Sequence, residues 1–541
     1  MRRLLAAATA AASLLALAGC DDRTPAEPAA DVALRRSGPS DPGFPGGFDL
    51  QVVGRYEGGG AGAAEITAYD DVSRRLFVVN GARGDVDVLD LRDPSRPVKV
   101  GTITPGLGAV NSVAAHDGLI ALAIQATDKV SPGTVAFHSA LTLRKISEVS
   151  VGSLPDMLTF TPSGKQVVVA NEGEPNADYS IDPEGSVSII DVRNRNRPSV
   201  RTASFRRFIG REDALRARGI RIYGPNANAA QDFEPEYVAV DEHERFAYVT
   251  LQENNAIATV DLRTATVLTV SPLGYKDHRR ARNAFDPSDR DGGVNIRNWP
   301  VFGMYQPDAV AAYTVGGQTY LITANEGDAR DYAGFAEEAR AGASSVVLNP
   351  AVFTPEACNG IACRDNAALG RLTITTALGR NPTTGQFDAL YALGGRSFSI
   401  WSAAGGAVWQ VYDSGDALER LTATTPYFNF NHEENGIDNR SDNKGPEPEG
   451  VTVAKIGRRS YAFLVLERSG GVVAYDVTRP WAPTFVTSIN TRGPAAGPAT
   501  GDLGPEGVEF IEARRSPTRR PLVVVGHEVS GTTVIYELVA R

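Results

Sequence analysis

"PEYVAVDEHERFAYVTLQENNAIATVDLRTATVLTV", residues 235–270, holds four short runs in which apolar and polar residues alternate: YVAV, FAYVTL, AIATVDL and TVLTV. Asp-Glu-His-Glu and Asn-Asn break the pattern at two of the joins. Period-two alternation rich in Val, Ile, Thr and Tyr is a strand signal. Four strands in about 40 residues is the arithmetic of one β-propeller blade.

The rest of the chain aligns on this unit. Similar four-run units fall at 64–103, 110–151, 155–205, 448–489 and 505–539, the last lacking an outer strand. A further unit is split. "PDAVAAYTVGGQTYLITANEG" (307–327) supplies two inner strands and "GRSFSIWSAAGGAVWQVYDSG" (395–415) two outer ones. The expected fold is therefore all-β, a seven-bladed β-propeller over residues 48–541 with an insertion at about 328–394 in the fifth blade. Counting 368–415 as a separate blade gives eight, the alternative. "GFAEEARAG" within the insertion reads as helix, and "GRLTITT" with "DALYALG" as an extra hairpin. "FDLQVVGRYEG" (48–58) is an isolated strand that would complete the last blade and remove a free edge.

A carboxylate recurs at fixed places in these units. Asp156, Glu236, Asp308, Glu449 and Glu506 follow a proline at the start of inner strands, and Glu65 stands near that place in the first unit. Glu172, Glu253, Glu326, Glu467 and Glu528 end the second strands, 16 to 18 residues later and 22 in the last unit. That spacing is one strand down and one strand back, which places both sets at one mouth of the channel. Two carboxylates ~5 Å apart repel by roughly 3 kcal/mol at an effective dielectric near 20. Such a ring either raises its pKa values or holds cations. Hard oxygen donors outside the cytoplasm point to Ca²⁺. With six histidines in the chain, among them His432 and His527, a His-built zinc site is not expected. The competing reading makes each strand-starting acid a latch for backbone N–H groups of the next blade. Loops 171–185 and 325–335 are a matched pair rich in oxygen donors; 428–450 adds Asp442, Asn443 and Glu447, and "DPSDRDGG" (286–293) adds three Asp.

"SLPDMLTFTPSGKQVVVANEGEPN", "DALRARGIRIYGPNANAAQDFEPEYVAV", "QPDAVAAY…YLITANEGDARDY", "GGRSFSIW" and "DNKGPEPEGVTV" together resemble the choice-of-anchor I family. That family includes secreted bacterial proteins and mesenchyme-specific cell-surface glycoproteins. The resemblance spans nearly all of 50–541 and implies an exported, variably anchored propeller. "NKGPEPEGV" and "GPEGVEF" are more loosely similar to calcium-dependent propeller phytases and alkaline phosphatases. This likeness implies metal-assisted phosphoester hydrolysis, with Lys444 and Arg396 as candidate phosphate clamps.

The first 19 residues, two arginines and then an apolar run ending "LAGC", read as a lipoprotein signal peptide, with Cys20 as the lipidated residue. Residues 20–47 read as a Pro/Ala/Gly-rich tether. The expected location is extracytoplasmic, at the membrane through the lipid alone. Cys358 and Cys363 would there form a short-loop disulfide. A net charge of −10 argues against nucleic acid. Three functions follow as expectations for a monomer: a calcium-loaded binding or scaffold protein of the envelope, a calcium-dependent phosphoesterase, or a metal-free interaction propeller.

Overall fold

The computed structural model describes Phe44 and residues 47–541. Signal peptide, Cys20 and nearly all of the tether lie outside the described residues.

Among the described residues the strands make seven four-stranded sheets, and every pairing within them is antiparallel. Their innermost strands are Thr67–Asp70, Ala109–His116, Pro155–Phe160, Pro235–Val240, Val310–Val315, Pro448–Ile456 and Pro505–Ile511. Each packs beside the innermost strand of the next sheet, and the seventh returns to the first. This closed order is a β-propeller. Phe48–Glu57 pairs with Thr532–Ala540, Phe48 opposite Ala540 and Leu50 opposite Leu538, so the seventh sheet takes strands from both chain ends.

The alternation of the repeat explains where the core lies. A strand covered on both faces carries apolar side chains to two neighbours at once. The apolar core is accordingly divided into seven wedges, one between each pair of adjacent sheets. Val168 and Val187 meet Val249 and Val260 between the third and fourth sheets; Leu76 and Val78 meet Val524 and Ile535 between the first and seventh.

An eighth core belongs to an accessory sheet. Its strands are Tyr275–Asp277, Val301–Met304, Leu390–Ala392, Thr373–Thr375 and Glu338–Arg340, in that order. The inserted structure thus also draws on the connection between the fourth and fifth sheets. The 373–375/390–392 hairpin forms, but it joins this sheet and not the strands at 397–413. "GFAEEARAG" is a correction: it is extended, with Glu338–Arg340 paired to Thr373–Thr375. Helix-favouring Ala and Glu yield to the hydrogen bonds of a sheet edge.

Cys358 and Cys363 are joined, five residues apart, and buried in the accessory core. Closing so short a loop contributes about 2 kcal/mol through the unfolded chain. Replacing both by serine is expected to lower stability by that amount in urea unfolding; an unchanged midpoint would show the staple to be idle.

Candidate cation site at the channel mouth

The Pro-acid pair has a local structural meaning. In the third, fourth, sixth and seventh sheets the register slips between the proline and the residue three further on: Pro155/Leu158, Pro235/Val238, Pro448/Val451 and Pro505/Val508. Asp156, Glu236, Glu449 and Glu506 therefore each sit in a β-bulge, a device that re-aims a side chain. The residue before the proline has positive φ in three of these sheets and in the fifth: Leu154 (44°), Glu447 (50°), Gly504 (64°) and Gln306 (40°). For a side chain larger than glycine this conformation costs roughly 1–2 kcal/mol, and such strain concentrates at functional sites.

The second-strand acids arrive at the same level. Glu172 N–H donates to Leu154 O (2.8 Å), Glu467 N–H to Glu447 O (2.8 Å) and Glu528 N–H to Gly504 O (2.7 Å). In the fourth sheet this position is Gln252, whose Nε2 donates to Glu326 (2.9 Å). Glu253 is one residue further on, a shift the sequence repeat does not disclose.

All ten expected carboxylates are brought to this mouth, and they feel one another. Glu236, Asp308, Glu449 and Glu506 are pushed well above the carboxylate range, first by burial and then by neighbouring acids around the ring. Glu172 is also raised well above it, by burial and then by Glu174 and Asp156. Asp156 and Glu253 rise to about 7, with burial the main cause. Glu65 joins them at about 7, through burial and then Glu528. Glu528 and Glu326 are raised less far, chiefly by burial.

The latch reading does not fit the strand-starting acids. Glu236, Glu449 and Glu506 each carry a buried Oε2 with no partner, and so does Glu253. Neighbouring sheets are tied by other groups. Thr250 Oγ1 donates to Asp308 O (3.0 Å), Asn111 Nδ2 donates to Pro155 O (3.1 Å), and Glu509 accepts from Tyr69 N–H (3.1 Å).

The charge of the mouth is uneven. Among the described residues Asp156, Glu172, Glu236, Glu253, Asp308, Glu449 and Glu506 make no ion pair. Glu326, Glu447 and Glu467 do, with Lys444, Arg440 and Arg468. Burial works against ionisation of Glu447, but Lys444, Arg440 and Arg468 hold its carboxyl down at about 2.

Both expected phosphate clamps have their donors engaged within the chain. Arg396 is 2% exposed. One terminal nitrogen bonds Glu419 (2.5 Å) and Asp286 O (2.8 Å); the other bonds Ser441 O and Asn443 O (2.6 Å each). Lys444 is 8% exposed and held by Glu326, Glu447 and Gly327 O. Asp442 is likewise taken, by Arg340 (2.9 Å) and Arg371 (2.7 Å). His432 is held between Glu467 and Arg468, and His527 is buried with its pKa lowered by that burial to about 4.

The matched loops meet beside the mouth. Gly334 N–H donates to Ala177 O, and Tyr332 Oη to Glu174 Oε1, both at 2.9 Å. A side chain on Gly334 would lie within 2.7 Å of the Asp178 backbone, so only glycine permits the approach. Beneath them Arg330, unforeseen from the sequence, is 2% exposed between Asp232 and Glu234, at 3.0 Å from each. The ring of Tyr223 lies 4.6 Å from Arg330 and 4.0 Å from Arg221. Elsewhere the "DPSDRDGG" loop brings Asp286 and Asp291 together with Asp438, one oxygen of each lying within 4.8 Å of the others.

Fold and site define a β-propeller with an acidic mouth. The chain matches the choice-of-anchor I domain over residues 65–480, and it belongs to that family. It is 31% identical over 189 residues to Gigasin-3a of Magallana gigas, covering 32% of this chain and 66% of that protein. It is 26% identical over 314 residues to the mesenchyme-specific cell surface glycoprotein of Strongylocentrotus purpuratus, covering 51% of this chain and 40% of that protein. Among solved structures, hydrazine synthase of Kuenenia stuttgartiensis aligns with TM-score 0.46 at 12% identity, over 88% of this chain and 95% of that one. The Cps50 (Swd1) β-propeller domain of Myceliophteria thermophila aligns with TM-score 0.42 at 9% identity, over 90% and 99%.

Proposed function

We propose that this is a seven-bladed propeller of the cell surface or envelope, anchored through Cys20, whose channel mouth binds calcium and presents a stabilised rim to a partner. The observation that carries the calcium reading is the set of buried, unpartnered oxygens on Glu236, Glu253, Glu449 and Glu506. A buried carboxylate oxygen without a donor is costly unless something positive faces it. The donors are carboxylates and carbonyls, which suit Ca²⁺ and its tolerance of irregular coordination. Asp156, Glu172, Glu236 and Glu253 would have to draw together to hold the ion, since among the described residues no three of them offer oxygens within 4.8 Å of one another; Asp308, Glu449, Glu506 and Glu528 would extend the acidic field around it. Bound calcium would replace repulsion by attraction among side chains from several sheets and so lock the ring. The exported setting is supported by the family and by the similarity to a cell surface glycoprotein. The phosphoesterase reading is the weaker one, because Lys444 and Arg396 have their donors committed within the chain.

The test is elemental analysis of the purified soluble portion after dialysis against calcium. Wild type is expected to retain at least one ion per chain and Glu236→Gln/Glu253→Gln to lose it. Equal metal content in the two would end this reading.

A further inference from the structure

Within the mouth one group of carboxylates differs from the rest. One oxygen from each of Glu326, Glu447 and Glu467 lies within 4.8 Å of the others, the spacing expected around a single cation. No three of Asp156, Glu172, Glu236, Glu253, Asp308, Glu449 and Glu506 converge in this way among the described residues. Mutual repulsion explains the spread of acids that face no positive charge. Within the mouth, convergence occurs where a positive charge stands.

That charge is Lys444. Its ammonium reaches Glu326 Oε1, Glu447 Oε2 at 3.2 Å and Gly327 O at 2.5 Å. Three contacts use all three of its protons. Two carboxylates and a backbone carbonyl are also the donors that calcium takes. The formal count closes as well: three carboxylates face Lys444, Arg440 and Arg468. In the neighbouring fourth sheet Glu236 and Glu253 are 8% and 5% exposed, and each keeps an unpartnered buried oxygen.

We infer that Lys444 is a built-in counter-ion standing in a second divalent-cation position of the mouth, so that exchangeable calcium is confined to the side of the third and fourth sheets. The inference rests on the reading of the mouth as a cation site. It adds that Lys444 sets how many ions the protein takes. Removing the ammonium leaves converging hard oxygens with a deficit of one positive charge, a vacancy a divalent ion fills.

Calcium per chain is measured by elemental analysis and by calorimetric titration for wild type, Lys444→Met, Lys444→Gln and Lys444→Arg, all purified in calcium. Methionine and glutamine are each expected to raise the count by one ion per chain; arginine, which keeps the charge, is expected to leave it at the wild-type value. An unchanged count in both neutral variants overturns the inference, and the calcium reading stands if wild type still holds its ion. A wild type without calcium beside neutral variants with one supports Lys444 as the counter-ion but removes the calcium reading and, with it, the confinement of calcium to the third and fourth sheets. No calcium in any of them removes both. Failure of both neutral variants to fold in excess calcium also overturns it, because the ion was to take the place of the lysine.

Discussion

Stripped of divalent ions, the protein is expected to melt at a lower temperature as the pH rises from about 5 to about 8. Glu65, Asp156 and Glu253 carry folded values near 7 against ordinary values of 4.5, 3.8 and 4.5. Between those limits the folded chain holds protons that the unfolded chain has released. Stability from these groups is therefore fully present at acid pH and is lost as the pH climbs through 7. Saturating calcium takes over the role of the protons and should flatten the decline. An ion at a hundred times its dissociation constant stabilises by about 2.7 kcal/mol, so a calcium-loaded protein of this size should melt about 3 °C higher at pH 8. Scanning calorimetry in EGTA and in calcium across this range is the check. Identical pH dependence in the two would mean that the acidic mouth takes no ion.

The second large effect concerns Arg330. Arg330→Met is expected to cost about 3–5 kcal/mol, because it leaves two buried carboxylates without their cation. Asp232 and Glu234 both depend on it, and its backbone lies in one of the paired loops. Arg514→Ala, which breaks an exposed pair with Glu512, is the control and should cost about 1 kcal/mol or less. Urea unfolding separates the two. A loss at Arg330 no greater than the control would show that water already reaches the pair.

Strand order and the rim address of the acids were legible because both depend on local spacing. A Pro-acid pair sixteen to eighteen residues before a second acid needs only a hairpin to bring the two together. What stayed hidden depends on long-range contact. Lys444 meets Glu326 across 118 positions of sequence, and no pattern around Lys444 tells a buried counter-ion from a surface lysine. Arg396 reads as a free guanidinium until Ser441 and Asn443 are seen turning their carbonyls toward it. The extended form of 335–340 was masked by composition: Ala and Glu suggest helix, and only the partner strand at Thr373–Thr375 decides otherwise. The one-residue displacement of Glu253 behind Gln252 shows only once Pro235 is seen paired with Leu251, as Pro155 is with Asn171.

The seventh sheet, shared between Phe48–Glu57 and Thr532–Ala540, imposes an order on biogenesis. A strand made early has to wait for one made almost five hundred residues later, and closing so long a loop is slow. During that wait two bare sheet edges are open to any extended chain nearby.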